Sequence, residues 1–385
     1  MDKKAEEAAI KGGIYRRLKS CGTLHPFFLT VSVLFIISTA VYIISRFSPG
    51  FAEFWARYMS AGVRFITAML TSFFPFSVAE TLVLLIPIAL AVFIWITVRI
   101  IVKNKGKGFS GLFLTLVSIL MIICIIFGLG FGPCYFRNSL ADNLGLDDEP
   151  VSPESLYDTA VWLTESINEV LPYVSFSSGG ESRMPYSFSE LTSVVNDAFN
   201  NYASDKDFIS SFDCPVKMIA LSDVMTYTHI SGIYAFFTGE ANVNVNYPDF
   251  IMPFTIAHEM SHQRGIARED EANFTAFLVC TESNDAFVRY SGYFNVLREV
   301  MAALYKADKD LYKQFRSEYY PDELVAELTA YSKFFEKYRE STAAKVVSGT
   351  NDAYLSSQNV KAGVKSYGLV TDLAVAYYET RIKNQ

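Results

Sequence analysis

Three apolar runs of bilayer length constrain this chain more than any other feature. Residues 27–45 (FFLTVSVLFIISTAVYIIS), 81–102 (TLVLLIPIALAVFIWITVRIIV) and 111–132 (GLFLTLVSILMIICIIFGLGFG) contain one charged residue between them, Arg99. A helix rises about 1.5 Å per residue, so about 20 such residues cross a hydrocarbon core about 30 Å thick. Buried helices of soluble proteins rarely supply three runs of this length with so little charge. Residues 1–133 therefore read as a membrane anchor in contact with the lipid bilayer. The first run lies too far into the chain, and is too long, to be a cleaved signal peptide.

Flanking charge sets the orientation. Lys3, Lys4, Lys11, Arg16, Arg17 and Lys19 precede the first run, and Arg99, Lys103, Lys105 and Lys107 close the second. Basic flanks stay on the cytoplasmic side. The N-terminus is thus expected inside, and everything after about residue 133 outside the membrane. A further stretch, 51–76 (FAEFWARYMSAGVRFITAMLTSFFPF), carries Arg57 and Arg64 seven residues apart, two helical turns. It reads as an amphipathic helix lying at the outer interface. If it spanned, the Lys-rich 99–107 loop would lie outside, against the charge rule.

Charge is also divided between the two parts. Residues 1–108 hold 13 Lys+Arg against 5 Asp+Glu, a balance of +8; residues 134–385 hold the other 20 against 35, a balance of −15. The large domain offers no basic surface for a nucleic acid. Five cysteines (Cys21, Cys124, Cys134, Cys214, Cys280) in no CxxC pattern suggest neither a disulfide framework nor a cysteine-based metal site. Three spans with almost no intramembrane charge give no conduction path, which argues against a transporter or channel.

Residues 134–385 form one domain of ordinary size. Ser152-Pro153-Glu154 is a helix start that runs to about Leu171, and 187–203 fits a second helix. Between Pro215 and Tyr247 the pattern turns to β-branched and aromatic alternation punctuated by Gly232 and Gly239, a small sheet of about three strands. From Pro253 onwards the chain is mostly helical, with breaks near Gly265, Asp285, Pro321 and Gly349. This is an α+β arrangement.

One motif carries chemistry. His258-Glu259-Met260-Ser261-His262 is HExxH. On a helix, residues i and i+4 share a face, so both imidazoles can reach one Zn²⁺ at about 2.0–2.1 Å. Glu259 sits about 100° around the helix, where a carboxylate can take a proton from water attacking a carbonyl. The chain has only four histidines, so HExxH is expected by chance about 0.002 times. Thr255 before the motif and the uncharged Met260-Ser261 within it fit the stricter zincin pattern; Arg264 stands where a hydrophobic residue is usual.

A catalytic zinc needs a third protein ligand and an open position. Gly265 permits a tight turn, and Glu269-Asp270-Glu271 opens a second helix that could double back towards the metal. Glu269 and Glu271 are about 200° apart on a helix, so only one of them can serve. Glu269, Glu271 and His229 remain the candidates, in that order. The strand-like 237–245 (FTGEANVNV), and within it Gly239, Glu240, Ala241, Asn242, Val243 and Asn244, could hold an extended substrate by main-chain hydrogen bonds. His229, Tyr290 and Tyr367 are candidate stabilisers of a substrate oxyanion.

Glu269-x-x-Ala272-Asn273 resembles the ExxAD helix of membrane-bound gluzincin metalloproteases, the group of the CAAX prenyl protease and the bacterial heat-shock membrane protease. That resemblance implies Glu269 as the zinc ligand and Asn273, in place of Asp, as the group orienting a ligand histidine. The gap from His262 to Glu269 is shorter than in that group. HExxHxxG, ending at Gly265, also resembles the metzincins, but Arg268 occupies their third-histidine position. Over nearly its whole length the chain resembles a bacterial family of three-span membrane proteins of unknown function. PFSVAE (75–80), YFRN (135–138), FTGEANVNV, HEMSHQRGIAREDEANF (258–274) and KSYGLVTDL (365–373) carry that likeness, which implies a zinc peptidase.

The expectation is a zincin-like, mostly helical domain with a small β-sheet behind a three-span anchor. It would be a zinc-dependent metallopeptidase acting on peptide or protein substrates of the cell envelope. The alternative is a non-catalytic ectodomain that binds zinc or an envelope partner. The intact Glu259 argues against that alternative, because a structural site has no need of the carboxylate.

Overall fold

The computed structural model describes residues 26–104, 108–146, 151–339, 341, 345 and 369–383. The basic N-terminal cluster, Lys105, Lys107 and Tyr367 lie outside these residues. Helices α1 (Pro26–Phe47), α2 (Pro49–Phe54), α3 (Ser60–Ser72), α4 (Val78–Asn104) and α5 (Phe109–Ile126) come first, with a π-helical turn at Trp55–Met59 joining α2 to α3. Three stretches are long and apolar enough to cross a membrane: Pro26–Phe47, Val78–Lys103 and Phe109–Phe136. Beyond Ala79 at its start, α4 buries none of its apolar side chains in protein, as a helix solvated by lipid would. α1 and α5 pack together where Gly128 allows Ser38 to approach, and the Ser38 hydroxyl donates to the Ile125 carbonyl at 3.3 Å. Small residues at such a crossing permit close backbone contact.

The third apolar stretch does not stop at the end of α5. It continues through a π-helical turn, Phe127–Phe131, and a tight turn, Gly132–Phe136, into the globular part. There it meets α2, the π-helical turn Trp55–Met59 and α3; Arg57 of that turn and Arg64 of α3 do not form a solvated polar stripe. Arg64 is 2% exposed. Its guanidinium donates to the carbonyls of Gln263 (3.1 Å) and Gly130 (3.0 Å), and to the Ser210 hydroxyl (2.8 Å). Arg57 pairs with Glu53 and Asp207. Both arginines turn to the globular domain: Arg64 is buried in it, and the half-buried Arg57 reaches its exposed Asp207.

The rest of the chain adds α6 (Leu140–Leu144), α7 (Pro153–Val170), α8 (Phe188–Ala203), β1 (Lys217–Met218), α9 (Ser222–Thr226), β2 (Gly232–Ala235) and β3 (Glu240–Val243). Then follow α10 (Ile251–Gln263), α11 (Glu269–Thr281), α12 (Ala286–Ala307), α13 (Lys309–Glu318), α14 (Asp322–Glu336) and α15 (Leu369–Tyr377). Ser152 caps α7 and Ser187 caps α8, each through a reciprocal capping box that satisfies first-turn N–H groups. α12 forms the centre of the core. Its Phe294, Leu297 and Val300 pack with Leu163 and Ile167 of α7 and with Phe274 and Phe277 of α11. The domain is thus mostly helical with one small sheet.

That sheet runs in the order β1-β3-β2, with β1 parallel and β2 antiparallel to β3. β3, expected to offer its edge to a substrate, is the central strand. Its main chain is occupied on both sides. Its side chains are structural: Glu240 accepts from the N–H groups of Val78 and Ala79 at the start of α4, and Asn242 donates to the Ile233 carbonyl. Asn244 donates to the Thr226 hydroxyl and the Ile230 carbonyl. Gly239, at φ 73°, lies against the backbone of Ala68. The edge strands are β1 and β2, and β2 is the one that lies against Glu259.

Candidate metal centre

α10 is buried on nearly every side, so its burial rather than amphipathicity holds it in place. Ile251, Met252, Ile256, Ala257 and Met260 enter the core, and Pro253 falls in the first turn, where its missing N–H donor costs no intrahelical bond. The helix ends in a Schellman turn. Ile266 N–H donates to the Ser261 carbonyl and Gly265 N–H to the His262 carbonyl, both at 3.0 Å, with Gly265 at φ 98°. Glycine is needed here twice over, since a Cβ would also stand 2.6 Å from the Arg64 guanidinium. Arg264, fully buried, is held by Asn196 and the Phe212 carbonyl and lies 4.3 Å over the Phe199 ring. This is why a charge is tolerated where a hydrophobic residue is usual.

The turn brings the start of α11 back over α10. His258 Nε2 and His262 Nε2 face one another at 3.0 Å, and Glu269 Oε2 lies 3.3 Å from the first and 3.5 Å from the second. Ligand atoms of a tetrahedral zinc site with bonds of about 2.0–2.1 Å stand about 3.3–3.4 Å apart. The three donors converge with nearly that spacing, so the residues fit a zinc ion. The Nδ1 of His262 lies 2.8 Å from the Ile266 carbonyl. That bond fixes the tautomer with its lone pair on Nε2, the arrangement a metal-ligating imidazole requires.

Glu259 sits one residue on, 4% exposed, with its Oε2 buried and without a hydrogen-bond partner among the described residues. Gly232 of β2 lies directly against it: a Cβ there would stand 2.6 Å from Oε1. Burial pushes the Glu259 carboxyl up to about 7, opposed by the two histidines, and Glu269 adds to the rise. Burial also works against the charge on Glu269, but the two histidines outweigh it and hold that carboxyl well below the usual range. His262 in turn is pushed up to about 9, because Glu269 overcomes the cost of burial.

The other sequence candidates are placed elsewhere. Glu271 turns to the opposite side of α11, accepts from the Leu140 N–H at 2.7 Å and pairs with Arg268 at 3.2 Å, so it is no ligand alternative. His229 lies 2.9 Å through Nε2 from the Tyr338 carbonyl and packs on Phe335, which removes it as ligand and as oxyanion group. Tyr290 is a core residue whose hydroxyl donates to Glu327, so it too cannot serve an oxyanion. Asn273 makes no hydrogen bond to either histidine among the described residues; the Ile266 carbonyl orients His262 in its place. Tyr367 falls outside the described residues.

Sequence reasoning missed the supports beneath the centre. Glu53 accepts both arms of Arg137 (3.1 and 2.7 Å), and Arg137 also reaches the Gly265 carbonyl at 3.3 Å. Phe131, near the end of the third apolar helix, lies edge-on to His262 with ring centroids 6.2 Å apart. The available signal was charge in an apolar setting: Glu53 and Arg64 within an aromatic, membrane-adjacent segment.

No curated protein and no solved structure matches the chain. A family model described as "Protein of unknown function (DUF3810)" matches residues 55–375. The matched region begins with the π-helical turn before α3 and includes the candidate metal centre, so the chain belongs to the DUF3810 family.

Proposed function

We propose that the chain is a membrane-anchored zinc metallopeptidase with its globular domain on the extracytoplasmic side. The observation that carries this reading is the convergence of His258, His262 and Glu269 beside a buried carboxylate, Glu259, that makes no structural bond through Oε2. Zn²⁺ held by the three ligands would supply Lewis acidity, making a water more acidic and polarising the peptide carbonyl. Glu259 accepts the proton of the attacking water and returns it to the leaving amine. The β2 edge positions the peptide. Asn244 N–H donates to the Ser231 carbonyl, so by strand alternation Ile233 and Ala235 face β3 while Gly232 and Tyr234 turn their main-chain groups the other way. There the Tyr234 N–H meets the Glu259 carboxylate, and the Gly232 groups and the Tyr234 carbonyl are left for a substrate. An extended segment can pair with those groups beside Glu259.

The test uses the full chain in detergent or lipid discs, because Arg64 and Glu53 tie the domain to its anchor. Metal analysis of wild type should give about one zinc per chain, lost in His262→Ala and in Glu269→Ala. Glu259→Gln should retain zinc and fail to cut a peptide library that wild type cuts. A folded wild-type protein that takes up no metal would sink the proposal.

A further inference from the structure

The depth of the centre relative to the membrane narrows its substrate. The third apolar helix starts at Phe109, and about 20 residues of it cross the hydrocarbon, which ends near Gly128. Phe131 stands about 5 Å beyond that level, and its ring contacts both His262 and Tyr234 of β2. The β2–β3 turn reaches lower still, where Phe236 packs on Phe127 with centroids 5.2 Å apart. From Ala235 beside that turn to Gly232 beside Glu259, β2 covers about 10 Å, buried at Ala235 and Tyr234 and exposed at Ile233. One end of the substrate edge therefore lies at the hydrocarbon boundary, and the other at Glu259.

A second observation marks the same level. Phe47 (80% exposed), Phe54, Tyr58, Phe73 (80% exposed), Phe74 and Phe76 uncover their rings around the ends of α1 to α3 and before α4. Aromatic rings gather at the bilayer–water interface. α3 in this belt holds the C-terminal end of the metal helix, through Arg64 and the Gln263 carbonyl. The Lys217 ammonium reaches the Phe74 carbonyl in the same belt, so the sheet too rests on it. No stalk separates the centre from the lipid.

Resting on the peptidase reading, we infer that the substrate is a polypeptide anchored in the same bilayer, cut a few residues beyond the end of its own membrane helix. Such a chain, leaving the membrane beside Phe236, pairs along β2 and presents a bond to Glu259 after about three or four residues. Confinement to the same bilayer raises its effective concentration at the site, which a freely diffusing peptide lacks.

The test reconstitutes the full chain in liposomes. The probes are randomised peptide segments presented three ways: about 4 residues from an apolar membrane helix, about 30 residues from it, and as soluble peptides. The inference expects Glu259-dependent cleavage of the short-spacer probe at least about tenfold faster than of the soluble form at equal bulk concentration. Equal rates, or fastest cleavage with the long spacer, would overturn the inference and leave the peptidase reading standing. No Glu259-dependent cleavage of any probe would overturn both. A readout without turnover uses Glu259→Gln carrying a photo-crosslinker in place of Ile233, which is 49% exposed on β2. The short-spacer probe should crosslink there, and crosslinking equal to that of the soluble form would again overturn the inference.

Discussion

Two clusters of buried charge lie one above the other in this molecule, and they are treated differently. In the lower one, at the base of the domain, Glu53 uses both oxygens on Arg137, Arg57 and the Asn138 N–H. Arg64 likewise spends its guanidinium on carbonyls and a hydroxyl. In the upper one, His258 Nδ1 and Glu259 Oε2 are buried with no partner, and three donor atoms point at one another. Buried polar atoms are costly when unpaired. On the proposed reading, Glu259 Oε2 and the three converging donors are left open for the metal and its water, whereas His258 Nδ1 is the ring nitrogen turned away from them.

The sharpest way to break the comparison is Glu259→Gln. On the upper cluster it should lower kcat by about 10²–10⁴-fold, the usual contribution of a general base, with zinc content and melting temperature unchanged or the latter raised. Next is Glu53→Ala in the lower cluster, which strands Arg137 and should cost about 3–5 kcal/mol of stability by denaturant titration, because the remaining charge is left buried. Arg64→Met leaves the Gln263 and Gly130 carbonyls without their donor, and should cost about 1–3 kcal/mol while loosening the end of the metal helix. Gly265→Ala forces a side chain into the left-handed region, at about 1–2 kcal/mol before its contact with Arg64 is counted. Its effect should appear as a lower melting temperature together with weaker zinc retention.

The smallest effect lies outside both clusters. Burial raises the Glu327 carboxyl, although bonds from Ser182 and Tyr290 oppose the rise. A raised folded-state value means that the native protein holds this proton more tightly than the unfolded chain does. Its contribution is therefore complete below the ordinary glutamate range, about 4.3, and is lost as pH rises through the folded value. Stability measured against pH should fall less steeply in that window for Glu327→Gln than for wild type.

Much of this was legible from residue order. The three apolar runs, the helix starts at Ser152 and Ser187, and the turn at Gly265 are local matters of composition, capping hydroxyls and a glycine in the left-handed region. The i, i+4 histidines and the 200° separation of Glu269 from Glu271 follow from helix periodicity alone. Strand order was not legible. FTGEANVNV reads as well for an edge strand as for a central one, because alternation reports which face is buried and not which neighbours pair. Asn273 was assigned by likeness to another helix, whereas a backbone carbonyl, invisible to any motif, took the role.

The sequence by itself determined that the chain carries three helices long and apolar enough to cross a membrane, that a helix presents two histidines and a glutamate on adjoining faces, and that a glycine turn follows. Each of these depends on residues within one or two turns of one another. Only the tertiary structure decided which acid joins the histidines, that β2 rather than β3 is an edge strand, and that Arg64 and Phe131 bind the centre to the membrane helices. Those outcomes depend on groups far apart in the chain, such as Arg64 and Gln263. Desolvation and pairing select among them only when the packed domain brings the groups together.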